Sequence, residues 1–228
     1  MTNINEIAKQ MVAEGKGILA ADESSGTIKK RFDTINVNSS EENRMNYRRI
    51  LFESTEAMQN YISGVILFDE TIRQSNNDGE RLVDIIKKSG SLPGIKVDMG
   101  AKELATMQGE TVTEGLDGLR ERLQEYSNLG AKFAKWRAVI SISNKNPSSL
   151  CIDVNAHALA RYAALCQESG IVPIVEPEVL MDGSHDIQKC YDATKETLLK
   201  VFDDLSFHNV DLKGICLKPN MVIDGSEN

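Results

Sequence analysis

The chain has 228 residues, 41% of them hydrophobic and 26% charged, with a formal net charge of −8. That acidity argues against a nucleic-acid footprint or a general affinity for anionic membranes, and no apolar run approaches the ~20 residues of a membrane span. Met1-Thr2-Asn3-Ile4-Asn5-Glu6 has no basic stretch leading into an apolar one, so a cytoplasmic protein without a secretion signal is expected.

In chain order, six short apolar runs each end in charge. The first, Ile18-Leu19-Ala20-Ala21, stops at Asp22. Ser39-Ser40-Glu41-Glu42 then reads as a capping box opening a helix through Arg44 to Phe52. The second run, Val65-Ile66-Leu67-Phe68, stops at Asp69-Glu70, and the third is Ile95-Lys96-Val97-Asp98. Leu116, Leu119, Leu123 and Tyr126 mark an apolar helical stripe before the fourth run, Phe133-Ala134-Lys135-Trp136-Arg137. Leu159, Tyr162, Ala163 and Cys166 mark another before the fifth, Ile171-Val172-Pro173-Ile174-Val175-Glu176-Pro177-Glu178. The longest stripe, Ile187, Tyr191, Thr194, Leu198, Val201 and Leu205, precedes the sixth, Ile215-Cys216-Leu217-Lys218.

Strands alternating with helices predict an α/β fold with a parallel sheet. A doubly wound open sheet is the alternative, but no run leads into a GxGxxG or Walker loop, and charge ends every run rather than gathering at one switch point. A (β/α)₈ TIM barrel, whose chemistry sits at the C-terminal strand ends, fits better. About six of eight βα units are visible. Residues 1–228 are therefore expected to be a single barrel domain truncated at its C-terminal end.

Strand side chains alternate, so residues two apart share a face. Lys135 and Arg137 should point together with Trp136 opposed, Glu176 should accompany Glu178, and Lys96 should accompany Asp98. If these faces turn inward, Asp22, Lys96, Lys135, Arg137, Glu176 and Lys218 converge at the barrel mouth. Such a mixture suits amine chemistry on a carbonyl, in which a desolvated lysine beside another cation becomes nucleophilic. Taken singly, each has a plainer reading. Lys218 would snorkel or pair, Asp22 would cap the following helix, Glu176 and Glu178 would be salt-bridge partners, and Trp136 and Met99 would pack. Cys151, Cys166, Cys190 and Cys216 lack CxxC spacing and read as reduced thiols. His157, His185 and His208 have no metal-ligand spacing and read as surface or capping residues, so neither a metal nor a cofactor is expected.

Several strings carry a resemblance: Gly17-Ile-Leu-Ala-Ala-Asp22-Glu-Ser24-Ser-Gly26, Gly109-Glu-Thr-Val-Thr-Glu-Gly-Leu-Asp-Gly118, Phe133-Ala-Lys135-Trp-Arg137, Gly170-Ile-Val-Pro-Ile-Val-Glu176-Pro-Glu178 and Leu217-Lys218-Pro-Asn-Met221. In order and through essentially the whole chain, the sequence resembles the class I fructose-bisphosphate aldolases. The resemblance implies that Lys218 forms a Schiff base with a ketose carbonyl and Glu176 shuttles protons. It implies that Asp22 acts at the C4 hydroxyl and that Lys135 holds intermediates by charge and helps keep the neighbouring amine unprotonated. Arg137 and Glu178 match the same charge network, and Ser24 and Lys96 match positions near a substrate phosphate, with Thr27 where serine is expected. Met99 stands where the family commonly has lysine. The implied substrate is a small-molecule sugar phosphate, and the implied assembly a homo-oligomer, a tetramer, of the full-length protein. The family's seventh and eighth strands and its C-terminal tail have no counterpart within residues 1–228, so weak or no activity is expected of this stretch alone. The competing readings are a transaldolase-like Schiff-base lyase, a non-catalytic fragment acting as a partner, and, least favoured, a zinc-dependent aldolase.

Overall fold

The computed structural model describes residues 3–143, 145 and 147–228; Met1 and Thr2, the start of the N-terminal stretch read above, lie outside them. In chain order the strands are β1 (Gly17–Ala21), β2 (Ile62–Leu67), β3 (Leu92–Lys96), β4 (Ala101–Glu103), β5 (Thr111–Thr113), β6 (Phe133–Ile140), β7 (Val172–Val179) and β8 (Cys216–Leu217). The helices are α1 (Ile4–Met11), α2 (Ser25–Asp33), α3 (Glu41–Phe52), α4 (Thr55–Tyr61), α5 (Asp69–Arg73), α6 (Leu82–Lys88), α7 (Leu119–Leu129), α8 (Ser149–Glu168) and α9 (Ile187–Phe207). No helix among the described residues is long and apolar enough to cross a membrane.

All six expected strands form one sheet in the order β1-β2-β3-β6-β7-β8, and every neighbouring pair is parallel. The order never reverses. A doubly wound sheet needs a reversal at its switch point, so that alternative falls and the wall of a (β/α)-barrel remains. β4 and β5 stand apart as an antiparallel hairpin between β3 and α7. Sequence periodicity misses it because three-residue strands fall below the span over which alternation can be read.

Residue size sets the packing on the concave face. The Phe133 ring lies over Gly64 and Gly94, where a Cβ would sit 2.8 and 2.3 Å from its nearest carbon. Two neighbouring strands give up their side chains to make room for one aromatic ring. Beneath it α1 closes the N-terminal end of the sheet, with Ile7, Ala8 and Met11 clustered against Ile66, Phe133, Val172 and Ile174. On the convex face a larger core joins Val65, Ile95, Ala134, Trp136 and Val175 to Leu119, Leu123, Leu159, Tyr162 and Cys166 of the helices.

Several helix readings shift. The cap of α3 is Ser40, which accepts from the Asn43 N–H, while Ser39 uses its carbonyl to receive Arg44 Nη1 at 2.6 Å. Asn43 stands where a reciprocal box needs glutamate, so only half of that motif forms. Leu116 precedes α7 but still packs on the core. On α9 the expected stripe is wrong at its start, since Ile187 and Tyr191 are about half exposed. The buried face is instead Cys190, Ala193, Thr194, Thr197, Val201 and Leu205. Small side chains serve there because α9 lies against α8 and β7.

Candidate active site

Along β6, Lys135, Arg137 and Val139 are partly exposed while Ala134, Trp136, Ala138 and Ile140 are buried, which is the expected period of two. Trp136 stacks on Tyr162 of α8 at 5.5 Å between ring centroids, on the side away from the two cations. Register then aligns charges across strands: Lys96 of β3 stands opposite Lys135, and Arg137 opposite Glu176 of β7.

The charged groups form a chain of contacts. Lys135 Nζ donates to Asp22 Oδ2 at 3.0 Å and lies 3.8 Å from Glu176 Oε2. The other Glu176 oxygen accepts from Lys218 Nζ. Glu176 is only 2% exposed, so the carboxylate that joins the two lysines is shut away from water. Lys218 follows β8, where its N–H donates to the Val175 carbonyl at 2.9 Å, extending the ladder by one rung. Arg137 pairs separately with Glu178. Lys96 Nζ turns onto Asp98, donating to its Oδ1 at 2.6 Å and its carbonyl at 2.9 Å.

A cavity of about 900 Å³ opens beside this chain and is lined by Asp22, Ser24, Thr27, Lys96, Lys135 and Arg137 among others. Glu176, Glu178 and Lys218 are not among its lining residues; they join it through Lys135 and Arg137. Ser24 caps α2, accepting from the Thr27 N–H, and its hydroxyl shares a 3.0 Å hydrogen bond with that of Thr27. A helix N-terminus with two hydroxyls faces the cavity, a setting that favours anions.

Three plain readings, and the expectation of a desolvated amine at Lys218, need correction. Asp22 does not cap α2; Ser24 does, which frees Asp22 for Lys135. Met99 is 60% exposed and lines the cavity instead of packing in the core. Lys218 is not desolvated: its side chain is 55% exposed, and its direct partner is a carboxylate rather than a cation. His185 is buried rather than at the surface, whereas His157 is exposed and His208 caps α9 with its ring against the Asp204 carbonyl. Of the second strand's charges, Glu70 turns away while Asp69 lines the cavity. Glu70 pairs with Arg44, and Asp69 accepts from Arg73 and the Tyr126 hydroxyl.

Supporting residues that periodicity cannot expose brace the site, and one of them, Arg122, also lines the cavity. Glu110 is 2% exposed and takes the Ser148 N–H and hydroxyl, each at 2.6 Å, fixing the hairpin to the start of α8. Thr113 donates its hydroxyl to the Arg137 carbonyl at 2.7 Å, so that hairpin also fastens the strand bearing the cations. Arg122 holds the Val97 carbonyl at 2.9 Å between Lys96 and Asp98.

Burial pulls the Lys135 ammonium down, but Asp22 and Glu176 more than reverse this, and its pKa stands above the usual lysine value of about 10.5. A raised folded-state value means that the ion pairs contribute fully below ~10.5 and are lost as pH rises through the higher folded value. Wild type and Lys135→Met should therefore differ in unfolding free energy by a constant amount through neutral pH. The gap should narrow only above about pH 10, as checked by urea melts across the alkaline range.

A lysine on a buried carboxylate at the C-terminal end of a consecutive parallel sheet is laid out as a (β/α)-barrel site is. The profile of the family described as "Fructose-bisphosphate aldolase class-I" matches residues 3–228. "Probable fructose-bisphosphate aldolase class 1" of Xanthomonas axonopodis pv. citri is 59% identical over 220 residues, covering 96% of this chain. "Fructose-bisphosphate aldolase 4, cytosolic" of Arabidopsis thaliana is 57% identical over 214 residues, covering 94% of the chain. The chain spans 66% of the first relative's length and 54% of the second's. Fructose-bisphosphate aldolase of Plasmodium falciparum, solved with TRAP and a small-molecule inhibitor, superposes with a TM-score of 0.95 at 47% identity, over 98% of this chain and 65% of that one. The chain belongs to the class I fructose-bisphosphate aldolase family.

Proposed function

We propose that the protein is a metal-free lyase cleaving fructose 1,6-bisphosphate reversibly to dihydroxyacetone phosphate and glyceraldehyde 3-phosphate, with Lys218 as its Schiff-base amine. The observation that carries this reading is the direct hydrogen bond from Lys218 Nζ to buried Glu176. A carboxylate on the amine can take a proton as Nζ attacks the ketose carbonyl. It can return one to the hydroxyl that leaves as water, forming the iminium. The C3–C4 bond then breaks with its electron pair drawn into that iminium, as the C4 hydroxyl gives up its proton toward Asp22. The resulting enamine is protonated at C3, and water releases the product from Lys218.

Lys135, fixed by Asp22 and near Glu176, holds the anionic intermediates in place. Ser24, Thr27 and Lys96 receive a phosphate at the α2 N-terminus, with Lys96 turning from Asp98 to do so. Arg137 and Glu178 complete the charge network. We read residues 1–228 as one domain. The family resemblance supports a homo-tetramer, and the cytosolic Arabidopsis relative supports a cytoplasmic setting.

Borohydride trapping with dihydroxyacetone phosphate, followed by peptide mass mapping, tests the reading. A reduced adduct is expected on Lys218, and none is expected in Lys218→Ala. A folded protein that forms no adduct would favour a non-catalytic role.

A further inference from the structure

We propose that Arg48 is a positioning residue for the reaction, holding the Asp22-Glu23-Ser24 turn in the geometry that delivers Asp22 to Lys135 and Ser24 to the phosphate. This rests on the roles proposed above for Asp22 and Ser24. Arg48 lies in α3, outside the cavity lining, and is fully buried. Its Nη2 donates to the Glu23 carbonyl at 2.6 Å, and its Nη1 donates to the Thr71 hydroxyl, also at 2.6 Å. The Glu23 carboxylate lies 3.6 Å from Nη2 and is gripped from its other side by Arg31. The guanidinium carbon stands 5.9 Å from the centroid of the Phe68 ring, which lines the cavity.

Glu23 sits between the two site residues and lines the same cavity. Pinning both its carbonyl and its carboxylate to Arg48 leaves the turn little freedom, so that Asp22 stays on Lys135. It also fixes the peptide that leads into the Ser24 cap. Thr71 belongs to α5, directly after β2, so one side chain ties the ends of two neighbouring strands. Stability alone does not call for charge here. A well-packed apolar side chain would avoid the desolvation cost of a fully buried guanidinium. The charge is accounted for by the backbone it holds.

Arg48→Met and Arg48→Lys test this, with Lys able to satisfy only part of the fork. Three readouts are needed: amide hydrogen exchange, borohydride trapping at Lys218, and kcat and KM for bisphosphate cleavage. In Arg48→Met, exchange at the first-turn amides of α2, Thr27 and Ile28, should rise by about tenfold or more while β6 and β7 stay protected. Trapping with dihydroxyacetone phosphate should stay close to wild type. Cleavage kcat should fall roughly 10²-fold, the scale of an ångström-level misplacement, and Arg48→Lys should recover part of it. If Arg48→Met does not fold, Arg48→Lys carries the same comparison. Exchange rising uniformly through α3 and the sheet, trapping and cleavage falling in parallel, or no change in any readout would each overturn the proposal. A full-length wild-type protein that neither traps nor cleaves would overturn the functional reading alone, because the exchange pattern would still decide whether Arg48 holds the turn.

Discussion

Glu176→Ala is expected to disable Schiff-base formation and to weaken the fold together. Glu176 is 2% exposed and is the one carboxylate shown in contact with both Lys218 and Lys135. Removing one partner from a buried ion pair costs about 3–5 kcal/mol. The low end applies here, because Lys135 keeps Asp22 and the half-exposed Lys218 stays hydrated. Loss of the proton acceptor on the attacking amine should slow trapping at Lys218 by roughly 10²–10⁴-fold. Glu176→Gln keeps the volume and one acceptor oxygen, so it should recover most of the stability and little of the rate. Urea melts and a trapping time course on both variants separate these effects. Unchanged trapping in Glu176→Gln would leave the carboxylate a structural role only.

The second large effect lies at the opposite end of the sheet. Phe133→Ala should destabilise the protein by about 3–5 kcal/mol, since its ring fills the concave face above α1. Gly94→Ala should be destabilising from the other direction, because the new Cβ would lie 2.3 Å from ring carbons that surrounding side chains hold in place. The informative variant is the double one. Gly94→Ala with Phe133→Leu should be more stable than the sum of the single losses, as a smaller side chain makes room for the new methyl. Additive losses in denaturant melts would mean that the glycine and the ring are not packing partners.

Much of this molecule is legible in its sequence because the governing rules are local. A strand's period of two places Lys135 and Arg137 opposite Trp136 without any tertiary information. The succession of apolar runs orders the sheet. What sequence hides depends on register and on distant partners. Nothing in Leu217-Lys218-Pro219 tells whether that amine is dry or wet, because its exposure follows from how far β8 extends beside β7. Arg48 is one cation among several in a polar helix until the fold sets it beneath the end of β1. Glu110 likewise reads as a loop carboxylate, although the fold seats it on the N-cap of α8. The start of α9 is misread for a related reason: close helix packing selects small residues, and a hydrophobic stripe selects large ones.

The sole tryptophan of this chain occupies a position that can be observed directly. Trp136 is completely buried, stacked on Tyr162, and its backbone neighbours are Lys135 and Arg137, the partner of Glu178. Ligand charge pulling on either cation acts on the strand that carries the indole. The protein thus contains its own fluorophore, joined by one peptide bond to each of two cations that line the cavity, and intrinsic emission is the label-free signal to follow for occupancy.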